Sequence, residues 1–98
     1  SDGDCPQFLE RMLIMLSGFQ DLMDVKVFMR GIAEKLPAHS PYKADFDFFS
    51  AINCTTQSEY RQELKSFLKT IISGTAILTM PDPVKEAYPQ LVKLYGWL

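Results

Sequence analysis

The spacing of apolar residues along the chain predicts helices almost throughout and gives little sign of strands. Phe8, Leu9, Met12, Leu13, Met15, Leu16 and Phe19 recur at three- and four-residue steps, with Gln7, Glu10, Arg11 and Ser17 on the other face. Pro6 suits the first helical position behind Asp4 or Cys5 as cap, so an amphipathic helix with a wide apolar side opens the chain. Ser17-Gly18 permits a break. Val25, Phe28, Met29, Ile32 and Leu36 then draw a second stripe, with Asp21 and Asp24 suited to its first turn, Lys35 to its last, and Pro37 as its stop.

Two prolines in the five residues Pro37 to Pro41 make a loop. Asp45 is placed to cap a short helix through Ile52, in which Phe46, Phe48 and Phe49 are three aromatic rings that call for burial. Thr56-Gln57-Ser58-Glu59 has the form of a capping box. The run behind it carries Tyr60, Leu64, Phe67, Leu68, Ile71 and Ile72 on one stripe and Arg61, Glu63, Lys65 and Lys69 outside. Ser73-Gly74 suits its end, and Thr75 to Met80 reads as a helical extension or an apolar connection. Asp82-Pro83 opens a last helix with Val84, Tyr88, Leu91, Leu94 and Leu98 inside, which Pro89 is expected to kink or restart. The pattern predicts an all-α fold, a compact bundle of four main helices and one short one.

Length agrees with one core. The chain has 98 residues, 47% of them hydrophobic, and no repeat or linker long enough to divide it, so residues 1–98 are read as one helical domain. The longest unbroken apolar run, Met12 to Leu16, is far short of the ~20 residues that span a bilayer. Ten Lys plus Arg against twelve Asp plus Glu give a net charge of −2, and the bases lie scattered from Arg11 to Lys93, which argues against a nucleic-acid partner.

The separation of Cys5 from Cys54 excludes a Cys-x-x-Cys motif and leaves a disulfide, two free thiols or intermolecular bridges. A bridge closing roughly fifty residues contributes ~4 kcal/mol in the chain-entropy picture. The start Ser1-Asp2-Gly3-Asp4, polar and without an initiator Met, suits a chain cleaved from a signal peptide or from an engineered fusion. Asn53-Cys54-Thr55 is a candidate glycosylation sequon at Asn53. These features favour secretion and one disulfide between Cys5 and Cys54, with two buried cytoplasmic thiols as the alternative.

Catalytic patterns are missing from the sequence. His39 is the one histidine, in the proline-flanked loop and remote in sequence from both thiols, and reads as solvated. Asp45 and Asp47 lack the glycine and glutamate of a calcium loop, so they read as capping and surface groups. No phosphate-binding glycine loop, zinc-protease pair or nucleophile elbow is present. The expectation is a protein that is not an enzyme and uses neither cofactor nor metal.

The apolar residues are instead bulky and adaptable, with five Met, seven Phe, four Tyr and one Trp. Such side chains line cavities for apolar ligands or grooves for partner helices as well as ordinary cores. The first helix bears more apolar surface than a single-layered bundle needs for itself. Leu9, Met12, Leu16, Phe28, Met29, Ile32, Phe67 and Ile71 are the residues expected to line a ligand cavity.

Cys5-Pro6-Gln7-Phe8 resembles the start of secretoglobins, small secreted helical proteins that open with Cys-Pro before an apolar helix. The resemblance implies an antiparallel, disulfide-linked dimer around a hydrophobic cavity, a lipid or steroid-like ligand and an intermolecular bond through Cys5. Cys54 is similar in placement to the middle cysteine of some members. A third cysteine near the C-terminus is missing, and Asp82 to Leu98 is surplus to that pattern. The function expected is therefore a secreted carrier of a small apolar ligand, in a bundle or a homodimer. Alternatives are a signalling protein that binds a partner through an exposed helix face and a protein of lipid or air–water interfaces.

Overall fold

The computed structural model describes residues 18–51, 56–74 and 79–98, which form four α-helices and, among the described residues, no strand. These are α1 (Leu22–Lys35), α2 (Lys43–Ala51), α3 (Gln57–Ile72) and α4 (Asp82–Trp97). The helix expected from Pro6 up to the break at Ser17-Gly18, the bridge between Cys5 and Cys54 and the sequon at Asn53 lie outside the described residues. The radius of gyration, 13.0 Å, equals the about 13 Å typical of a compact chain of this size.

Several helix ends have a local cause in the sequence. Before α1, Gly18 takes φ 83°, a left-handed conformation in which glycine avoids the strain a side chain would meet, and it serves as the break expected there. Asp21 then caps α1: its carboxylate accepts from the Asp24 N–H at 2.9 Å while the Asp24 carboxylate accepts from the Gln20 and Asp21 N–H groups at 2.8 and 3.4 Å. Three amides around the helix start gain charged acceptors in this way. At the other end Leu36 is extended, as a residue preceding proline must tend to be. Lys43, the first residue of α2, reaches back to donate from Nζ to the Ala33 carbonyl at 2.7 Å. A cation there meets the negative end of the α1 dipole and fixes the α1–α2 turn.

Thr56 caps α3 by accepting the Glu59 N–H at 3.1 Å. Helix α4 differs from expectation at its start: Pro81 occupies the cap, without a side-chain hydrogen bond, and Asp82-Pro83 form its first turn. The same helix runs as one element through Pro89, with the proline on its exposed side. The packing of Val84, Leu91 and Leu94, all fully buried, holds both halves to one core and offsets the missing ladder bond.

Helix α1 packs most closely on α2 and also on α4, and α3 packs on α4. Val25, Phe28, Met29, Ile32 and Leu36 of α1 meet Phe46 and Phe49 of α2, Tyr60, Leu64, Leu68 and Ile71 of α3, and Val84, Leu91 and Leu94 of α4 in one apolar cluster. The α1 and α3 stripes read from the sequence are those buried, except that Phe67 and Ile72 stay half-buried at the edge. Among the described residues no helix is long and apolar enough to cross a membrane.

Candidate functional site

Between α2 and α3 the interior is built from aromatic rings. Phe46 and Phe49 are three apart on α2 and share one face; Tyr60 and Phe67 are seven apart on α3 and share another. The Phe67 ring stacks on Phe49 at 5.3 Å between centroids with 20° between planes, and meets Phe46 edge-on at 5.5 Å. Phe49 in turn meets Tyr60 edge-on at 6.0 Å and Phe48 at 5.1 Å. Contacts of this geometry contribute about 0.5–1.5 kcal/mol per pair beyond the burial of area. Because α2 and α3 are not among the closely packed helix pairs, these rings span the space between them. The set runs from the core to the surface: Phe46 is 0% exposed, Phe49 6%, Phe67 half-buried and Phe48 49%.

Tyr60 ties this seam together. Its hydroxyl donates to the Phe49 carbonyl at 2.5 Å, in the last described turn of α2, and so ties α3 to α2. Burial raises its pKa above the ordinary tyrosine value, because the phenolate would lose hydration there. The Lys26 ammonium stands 5.5 Å from the centre of the same ring, joining α1 to the outer side of the seam.

Of the eight residues expected to line a cavity, Phe28, Met29, Ile32, Phe67 and Ile71 belong to or pack against the one cluster, and Leu9, Met12 and Leu16 lie outside the described residues. Met29, Ile32 and Ile71 are 0–5% exposed and packed by neighbours on several helices. Phe28 joins a different ring group, with Phe19 edge-on at 5.2 Å and Trp97 6.2 Å beyond it. Phe67 alone of the eight belongs to the α2–α3 rings. Phe46, Phe48, Phe49 and Tyr60 complete that set; the signals for it are the density of Phe at 46–49 and the two-turn spacing of Tyr60 and Phe67. Burial of all three phenylalanines was the expectation, and Phe48 departs from it because residues 48 and 49 stand about 100° apart on a helix, so the face that buries Phe46 and Phe49 turns Phe48 outward.

Polar chemistry is sparse around the rings. Apart from the Tyr60 hydroxyl, Ser50 is the buried polar side chain of the described core, and it donates to the Asp47 carbonyl at 2.8 Å. Asp45 and Asp47 are exposed, with Asp47 3.7 Å from Lys43, and His39 is exposed in the α1–α2 loop. Among the described residues no three His, Cys, Asp or Glu side chains gather as a metal site would require. What the seam offers is ring faces and edges, suited to an apolar or aromatic guest. No known protein family, curated protein or solved structure matches this chain.

Proposed function

We propose that this protein is a non-enzymatic carrier of a small apolar ligand, held at the α2–α3 aromatic seam. The observation that carries the reading is the unbroken series of rings from Phe46 in the core through Phe67 and Phe49 to the exposed Phe48. A seam spanned by side chains parts more readily than one of closely packed helices, since rotating rings costs less than separating backbones. An apolar guest entering beside Phe67 exchanges ring–ring contacts for ring–guest contacts and leaves no polar group newly buried. The reading further takes the chain as a single secreted domain with Cys5 and Cys54 bridged, and allows a homodimer; these parts rest on the sequence.

Titration with the fluorescent apolar probe N-phenyl-1-naphthylamine tests the binding. Saturable enhancement is expected, weakened several-fold by Phe67→Ala with the helical signal intact. No saturable binding, or binding indifferent to Phe67, rejects the site. Native mass spectrometry of the same sample tests the bridge, which lowers the mass by about two units against the reduced chain.

A further inference from the structure

The bases that look scattered in sequence are partly gathered by the fold. On α3, Arg61, Lys65 and Lys69 recur every four residues and Ile72 follows, so the four share one stripe. That stripe flanks the buried line of α3 on the side of α4: the Arg61 guanidinium lies over the Trp97 ring at 4.5 Å, Lys65 Nζ is 5.3 Å from the Tyr95 ring, and the Tyr88 hydroxyl donates to the Ile72 carbonyl at 3.2 Å. These three contacts also show that α3 and α4 run antiparallel. On α4, Lys85, Tyr88, Val92 and Tyr95 recur at three- and four-residue steps and form the matching stripe.

The α3–α4 face therefore presents four cations, Arg61, Lys65, Lys69 and Lys85, without an acidic residue of either helix among them. Glu59 and Glu63 lie on the flank of α3 turned away from α4, while Asp82 and Glu86 align with Lys93 on another side of α4. Interleaved with the cations are half-buried Ile72, Tyr88 and Tyr95 and the 41% exposed Val92. On a chain of net charge −2 this is a local, one-signed surface.

We propose that this face docks on a bilayer containing anionic lipid headgroups. Cations reaching toward headgroups above apolar and tyrosine side chains are the arrangement that interfacial binding uses. The ring faces favour a lipid over a single-stranded nucleic acid: Trp97 and Tyr95 are already covered by Arg61 and Lys65, so a base would have to displace a cation in order to stack, whereas a headgroup phosphate meets the cations where they stand. The docking is independent of ligand binding at the α2–α3 seam.

Co-sedimentation of the full chain with phosphatidylcholine vesicles, with and without phosphatidylserine, tests it. Binding to the phosphatidylserine vesicles is expected, falling as salt is raised. Lys69→Gln with Lys85→Gln, both at exposed positions, is expected to weaken it about 30-fold, corresponding to about 1 kcal/mol per cation. Lys35→Gln with Lys93→Gln, equal in charge but off this face, is expected to change it far less. Absence of binding, equal binding to neutral vesicles, equal loss in the two double variants, or equally tight binding of a single-stranded oligonucleotide through the same lysines would each overturn the proposal.

Discussion

Removing one oxygen atom tests how the aromatic seam is held. Tyr60→Phe keeps the ring, its edge-on contact with Phe49 and its place in the core, and deletes only the hydroxyl that donates to the Phe49 carbonyl. That carbonyl lies in the last described turn of α2, and Tyr60 is 3% exposed, so water is poorly placed to replace the bond. Taking this donor from a buried acceptor costs about 1–3 kcal/mol, against a small gain from not burying a hydroxyl. A net loss of about 1–2 kcal/mol is expected. For a chain of this size each kcal/mol lowers the thermal midpoint by about 4–8 °C. Urea and thermal unfolding followed by circular dichroism measure both quantities, and an unchanged urea slope would place the effect in the folded state. A loss below about 0.5 kcal/mol would refute the idea that the Tyr60 hydroxyl holds α3 to α2.

Three further outcomes follow from the same contacts. Because burial raises the Tyr60 pKa above the ordinary value of about 10, its contribution to stability is complete below pH 10 and is lost as the pH climbs from there toward the raised value; the parent should lose stability more steeply above pH 10 than Tyr60→Phe does in parallel melts. Asp21→Ala removes the acceptor for the Asp24 N–H and should cost about 1 kcal/mol in urea unfolding, with amide exchange quickened at the start of α1. Pro89→Ala restores a ladder donor at an exposed position in the middle of α4 and should raise stability by about 1 kcal/mol or more; a lower midpoint would mean that the helix depends on its proline.

Periodicity made the helices legible where an apolar stripe meets a cap. Val25, Phe28, Met29, Ile32 and Leu36 are buried as their spacing requires, and Asp21 with Asp24, and Thr56, stand at helix starts because short polar side chains satisfy amides there. Boundaries were harder where prolines compete: Asp82 suits a cap by type, yet Pro81, already extended, takes that position. The seam was only partly legible. A stripe says which face of a helix is buried but not which neighbour it meets, so Phe28 and Phe67, alike in pattern, enter different ring groups. The basic face was hidden for the same reason, since the α3 cations meet the Tyr88–Tyr95 side of α4, which also carries Lys85, only after α4 folds back along α3.

Carriage of an apolar ligand depends most directly on where the guest sits. Isotope-edited NMR on the chain saturated with N-phenyl-1-naphthylamine reads that place directly, through intermolecular nuclear Overhauser effects to assigned aromatic protons. Effects to Phe67, Phe49 and Phe48 together are expected. Effects confined to the Phe19, Phe28 and Trp97 rings, or none to any core aromatic, would contradict it.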